Sequence, residues 1–237
     1  IYRDFLIILL ITTYVALALA FFPGVYINLV RPSMRGEVDL LVLPIILLAV
    51  NGILGNVNQF ISNVMQGIDK RDIEGTSEIR PRAYLRSLVL HTHLAELIFT
   101  IVYLSTMIPL ILLFKGLGFV YYAVIGALVS SLLANIAALG FRLVKLGGLK
   151  SIFNGETLML DYALPSLLSI IVLLLIVRAV RITLYPSIII SLIQVITVSL
   201  ITLAIYLSIT MAVSRNARNL IIILIKRIVS TIITSQP

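Results

Sequence analysis

The stretch VDLLVLPIILLAVNGILGNVNQFISNVM, residues 38–65, decides the fold class. After Asp39 it contains no charged residue, and it is longer than the roughly 20 residues that a helix needs to cross the hydrocarbon core of a bilayer. Apolar runs of similar character recur along the whole chain and are separated by short charged segments. The sequence therefore predicts an all-α, polytopic transmembrane helix bundle with six spans, at about residues 5–30, 38–65, 88–114, 118–141, 162–184 and 186–213.

The composition excludes a soluble domain. Hydrophobic residues make up 60% of the chain and charged residues 12%, against roughly 45–50% and about 25% in soluble proteins.

No cysteine is present, which excludes a disulfide framework and cysteine-based metal sites. The net charge of +8 lies in the segments that flank the apolar runs, so we expect contacts with membrane lipids and no nucleic-acid partner.

The distribution of basic residues predicts the orientation. Thirteen of the eighteen Lys and Arg residues fall on the side of the spans that also holds both ends of the chain. Because cytoplasmic loops are enriched in Lys and Arg, this side is predicted to be cytoplasmic, in the cell membrane. Residues 214–237 form a basic, amphipathic cytoplasmic tail, for which a helix in the membrane interface and a frayed end are both open.

Polar residues inside the apolar runs are the main functional signal, since polar groups in hydrocarbon must find partners. The second span carries a stripe of amide and hydroxyl side chains within an arc of about 100°. We expect it to line a hydrated cavity, with hydrogen bonding between helices as the alternative. The candidate cavity-lining residues are Asn51, Asn58, Gln59, Ser62 and Gln66.

The third span carries His93 and Glu96, which share a helix face at a spacing of three residues. Such a pair can hold or relay a proton, so we predict either a coupling pair or a structural polar pair that contacts another helix. Four arginines near the outer ends of spans are candidate contacts for anionic substrate groups, and the alternative is that they extend to the interface. These are Arg31, Arg35, Arg178 and Arg181.

Several chemistries are not predicted. His91 and His93 project to opposite sides of a helix, so they do not form a metal site with Glu96. The chain contains no nucleophile elbow, phosphate-binding loop or zinc-protease motif. We therefore expect neither an enzyme nor a cofactor.

The segment ALAFFPGVYINLVRPSMRGEVDLLVLPIILLAVNGILGNVNQFISNVMQGIDKRD, residues 18–72, resembles the C-terminal half of polysaccharide and oligosaccharide flippases of the multidrug/oligosaccharidyl-lipid/polysaccharide exporter superfamily. The resemblance rests on a short outer loop, a long polar-tinged span and a Gly-plus-basic turn, Gly67 to Lys70, followed by two helical hairpins. It implies one six-helix lobe of a two-lobe transporter that moves a lipid-linked oligosaccharide or polysaccharide precursor by alternating access. No family motif is strict enough to assign a role to a numbered residue.

The resemblance also implies a partner, because the other lobe is not in the chain. The chain starts inside an open apolar run, which suggests that it is a fragment with residues missing on its N-terminal side. Two other functions stay open: a cation-coupled exporter of the same superfamily, and a structural subunit of a membrane complex that does not transport.

Overall fold

The computed structural model describes residues 1–68, 87–116, 120–147, 154–180, 182–185 and 187–234. Within these ranges all regular elements are helical, and six of the eight helices are long and apolar enough to cross a membrane. This confirms the predicted all-α bundle with six candidate spans. The helices are α1 (Tyr2–Phe21), α2 (Pro23–Val30), α3 (Val38–Ile68), α4 (Leu88–Lys115), α5 (Val120–Lys145), α6 (Gly155–Ala179), α7 (Ile188–Val213) and α8 (Arg215–Thr234).

The largest differences from the predicted spans concern the first and the fifth span. The predicted first span, 5–30, is divided, because α1 ends at Phe21 and Pro23 opens α2. Proline has no backbone N–H and suits the first turn of a helix, so the chain restarts there. The predicted fifth span, 162–184, is displaced, because the Asn154 side chain accepts a hydrogen bond from the Glu156 N–H at 3.1 Å and starts α6 earlier.

Helices α3, α4 and α5 form one compact unit. Its α4 and α5 are an antiparallel hairpin, whereas α3 runs parallel to α5. The parallel direction follows from two side-chain hydrogen bonds, Asn135 to Asn51 and Arg142 to Asn58, which join residues separated by the same number of positions, 84. The three helices therefore alternate in direction, as consecutive membrane spans must.

Helices α1, α2, α6, α7 and α8 form a second compact unit around an apolar core. Within it, the buried Asn28 amide donates hydrogen bonds to the Tyr185 carbonyl at 2.8 Å and to Ser191 Oγ at 2.7 Å, which ties α2 to the start of α7. The core residues come from all five of these helices and the residue between α1 and α2: Leu6, Leu10, Leu17, Phe22, Val25, Leu173, Val198, Tyr206, Ala217 and Leu220.

The basic tail is helical from Arg215 to Thr234. Ser214 Oγ accepts a hydrogen bond from the Ala217 N–H at 2.9 Å and so starts α8. Ala217 and Leu220 are buried in the core of the second unit, whereas Arg215 and Arg218 are exposed. The amphipathic pattern is thus used for packing on its own unit, and the location of α8 at the membrane interface stays a prediction.

Candidate functional site

A polar ladder joins α3 and α5 in the first unit; it consists of Asn51, Asn58, Asn135, Arg142 and Glu96. Asn51 and Asn58 are seven positions apart on α3, and Asn135 and Arg142 repeat that spacing on α5. A spacing of seven keeps side chains on one seam when two helices pack at a shallow angle. The sequence thus places two polar groups of each helix on the same seam.

The amides of the polar ladder are connected by a chain of hydrogen bonds. Asn51 donates to the Leu128 carbonyl at 3.0 Å, and Asn135 donates to Asn51 Oδ1 at 3.2 Å. Asn58 donates to the Asn135 carbonyl at 2.9 Å and to its Oδ1 at 3.2 Å. All three amides are buried, so each hydrogen bond replaces one that water would otherwise supply. A seam of this kind fixes how far α3 and α5 can slide past each other.

Arg142 ends the polar ladder. Its Nη1 donates to Asn58 Oδ1 at 2.6 Å, and its Nη2 forms a salt bridge with a Glu96 carboxylate oxygen on α4. The Arg142 side chain is 2% exposed, whereas that of Glu96 is 60% exposed. A buried guanidinium is costly unless it is paired. The ladder therefore brings one buried positive charge to a carboxylate at the surface of the unit, and all three helices contribute to the arrangement.

The structure divides the predicted cavity-lining residues into two groups. Asn51, Asn58 and Ser62 are buried, and the first two form the seam with α5, as in the hydrogen-bonding alternative. Gln59 and Gln66 are exposed, and Gln59 donates to Asn63 Oδ1 along the same helix at 3.1 Å. The polar stripe of α3 is wider than the surface that α5 covers. The amides of Gln59 and Gln66, at the other edge of the stripe, are therefore exposed at the surface of the unit.

Glu96 forms a salt bridge with Arg142 of α5, which agrees with the structural alternative of a contact with another helix. A coupling role of His93 and Glu96 stays a prediction. The guanidinium offers a fixed fork of N–H donors with a permanent charge, which suits a carboxylate. His93 is exposed. On the same helix, the His91 Nδ1–H donates a hydrogen bond to the Ser87 carbonyl at 2.7 Å, and the imidazole stacks on Phe141 of α5, with ring centroids 6.2 Å apart.

The candidate anion-binding arginines are not brought into one cluster by the described contacts. Arg31 and Arg178 are exposed and belong to the second unit. Arg35 lies in the 3₁₀ turn Pro32–Glu37, in the first unit. Arg181 lies outside the described residues. A shared substrate contact of these arginines stays a prediction.

A buried carboxylate organises one end of the second unit. Asp161, in a π-helical turn of α6, is 4% exposed. Its Oδ2 accepts hydrogen bonds from the Tyr2 hydroxyl at 2.7 Å and from the Asn216 amide at 2.8 Å. Its Oδ1 accepts one from the Ser214 hydroxyl at 2.6 Å. Asp161 thus ties the starts of α1 and α8 to α6.

Sequence reasoning missed Arg142 and Asp161 as buried groups. Arg142 was counted among the basic residues that flank a span, although its spacing of seven from Asn135 matches that of Asn51 and Asn58. Asp161 precedes the predicted start of the fifth span by one residue, and only the earlier start of α6 places it inside the unit. The seven-residue spacing that Asn135 and Arg142 share with Asn51 and Asn58 could have identified Arg142 as a seam residue. No feature of the sequence indicates that Asp161 is buried.

We expect Asp161→Ala to loosen α8, because three donors would lose their acceptor. The hydrogen bonds of a charged acceptor contribute about 1.5–3 kcal/mol each and do not add, so a loss of about 3 kcal/mol of local stability is expected. Amide hydrogen exchange should accelerate in α8 and remain unchanged in α4. Glu156→Ala, at an exposed acid of the same helix, is the control. Equal exchange of α8 in the two variants would contradict this role.

Comparison with known proteins gave no match: no protein-family model, curated protein or solved structure is similar to the chain at a significant level. In the part of the chain that the structure describes, no group of three His, Asp or Glu side chains is close enough to hold a metal ion. What the findings establish is a multi-pass membrane protein. Function must be argued from its polar groups.

Proposed function

We propose that this chain is a membrane transporter, not an enzyme, and that it translocates a lipid-linked oligosaccharide or polysaccharide precursor by alternating access, together with a second lobe. Two things support the proposal. One is the set of six apolar helices, which suits a multi-pass transporter. The other is the resemblance of residues 18–72 to the C-terminal half of polysaccharide flippases. The predicted setting is the cell membrane, with both termini in the cytoplasm.

The observation that carries the proposal is the uncovered polar face of α3. Gln59, Asn63 and Gln66 are exposed in the middle and C-terminal part of a helix that is long enough to span a membrane. In contact with lipid, such amides would lack partners apart from each other, at a cost of several kcal/mol each. The face is better suited to water, to a sugar chain or to a partner lobe. A glycan path requires a surface of this kind.

Reconstituted vesicles provide the test. With a fluorescent lipid-linked oligosaccharide in one leaflet, the protein should transfer the probe to the other leaflet faster than protein-free vesicles do. The double variant Gln59→Leu and Gln66→Leu should slow transfer by about tenfold, the loss expected from removing hydrogen bonds worth about 1.4 kcal/mol in total. Leu48→Met, at an exposed apolar position of the same helix, should transfer the probe at the wild-type rate.

Transfer at the protein-free rate would remove the flippase proposal and favour the structural-subunit alternative. Transfer that is fast in the wild type and equally fast in the double variant would show that the polar face of α3 is not on the path.

A cation-coupled exporter is the second candidate, and the geometry of Glu96 favours it. Its side chain is 60% exposed while it contacts the buried Arg142, so a proton or cation can reach the carboxylate from the surface of the unit. If Glu96 couples transport, Glu96→Gln should change the pH dependence of transport. An unchanged pH profile would remove Glu96 from coupling.

A further inference from the structure

A pocket of about 340 Å³ lies in the second unit, between the start of α1, the start of α6 and the first turns of α8. It has two kinds of wall. The polar wall includes Arg3, Thr157, Asn216 and Asn219, and the apolar wall includes Leu220 and Ile223. A pocket with one apolar wall and a few convergent polar groups is typical of a ligand site.

The charge of the pocket favours an anion. Arg3 is the one charged side chain among the residues that line it, and within the described part of the chain no carboxylate pairs with Arg3. The nearby Asp161 does not line the pocket, because it is buried and is surrounded by the Tyr2, Ser214 and Asn216 donors. The positive end of the α8 dipole also lies on this side. The guanidinium is therefore available to a negative group that enters from outside.

The position of the pocket favours a membrane lipid as the source of that group. Tyr2 and Arg3 open the first candidate span, and Asn216 follows the end of α7 at Val213. The ends of spans lie at the depth of the lipid headgroups, where the phosphates are. Ile223 is also partly exposed beside the polar groups, so an apolar surface continues from the pocket along α8.

We propose that this pocket binds the phosphate group of a membrane lipid, held by Arg3 with Asn219 and Thr157, while the first carbons of the lipid chain contact Leu220 and Ile223. Guanidinium geometry matches phosphate oxygens. A volume of about 340 Å³ accommodates a headgroup and not a whole lipid, whose chains would extend over α8. This site goes beyond the proposed transport function, and its binding is measured without transport, so the two fail separately.

Binding to the detergent-solubilised protein tests the proposal, with dioctanoyl phosphatidic acid, dioctanoyl phosphatidylcholine and inorganic phosphate as separate probes. Phosphatidic acid should bind more tightly than phosphatidylcholine. Arg3→Gln should weaken binding of phosphatidic acid by about tenfold, as expected when one charge-assisted contact is lost. Lys115→Gln, at an exposed lysine of α4 in the first unit, is the control and should change it less than about twofold.

Asn219→Asp provides a second variant at an exposed position, where folding is not at risk. It places a negative charge on the polar wall and should weaken phosphatidic acid binding as well. Inorganic phosphate that binds as tightly as phosphatidic acid would identify the ligand as the free anion and would overturn the lipid assignment. Equal affinities for the wild type, Arg3→Gln and Asn219→Asp would overturn the site itself.

Discussion

Replacing Gly126 by alanine is expected to separate α4 from α5 and to cost about 3 kcal/mol of unfolding free energy, at the upper end of the range for overpacking. A Cβ at Gly126 would lie 2.8 Å from three backbone atoms of Leu110 and Ile111 on α4. Backbone atoms cannot rotate away as a side chain can. Small residues at such crossings are what allow two membrane helices to approach closely.

The matched control is Gly140→Ala on the same helix. Nothing lies within 4 Å of a Cβ at Gly140, so the substitution should leave packing unchanged and stabilise α5 by up to about 1 kcal/mol through helix propensity. The two Gly→Ala changes should thus have opposite signs when unfolding is followed by denaturant titration in mixed micelles. Equal effects would contradict the close contact of α4 and α5.

The second large effect is an asymmetry between the two partners of the salt bridge on the polar ladder. Glu96→Ala leaves the buried Arg142 charge without its carboxylate, which is expected to cost about 3 kcal/mol. Arg142→Met removes that charge from the interior and leaves Glu96, which is 60% exposed and within about three turns of the start of α4, where water can reach it in micelles. Its cost should be about 1 kcal/mol, from the unpaired Asn58 oxygen.

The double variant distinguishes a buried Arg142 that depends on Glu96 from an ordinary salt bridge at the surface. In the Arg142→Met background, Glu96→Ala should have almost no further effect, because the buried charge that it would leave unpaired is already gone. The coupling energy should then be about 2–3 kcal/mol. Additive costs of the two substitutions, measured in the same mixed micelles, would show that Arg142 does not depend on Glu96.

The number of candidate spans was predictable because each apolar run is limited by charged residues, and the length of a run decides whether it can span a bilayer. The boundaries were less predictable. Pro23 lies within a continuous apolar run, and hydropathy does not register that proline begins a new helix there. Asn154 begins α6 through a side-chain hydrogen bond, which composition cannot reveal.

The sequence predicted the polar residues that α3 and α4 contribute to the candidate site, but it predicted only some of the groups that they contact. Helical periodicity places Asn51, Asn58, Gln59 and Gln66 on one broad stripe, but it does not state which edge a neighbouring helix covers. That depends on α5, whose Asn135 and Arg142 are compatible with the seam because both helices repeat polar residues at a spacing of seven. Glu96 was recognised as a polar group that needs a partner, and Arg142 is that partner.

The central claim, a chain that crosses the membrane six times, can be tested directly because the sequence contains no cysteine. Single cysteines at exposed positions would be labelled with a membrane-impermeant maleimide in sealed vesicles of known orientation. We expect Ser33→Cys, Lys115→Cys and Arg178→Cys to be labelled from the outside, and Lys145→Cys, Glu156→Cys and Arg215→Cys only after the membrane is opened. Labelling of Lys115→Cys and Lys145→Cys from the same side would contradict a crossing by α5 and, with it, the six-span topology.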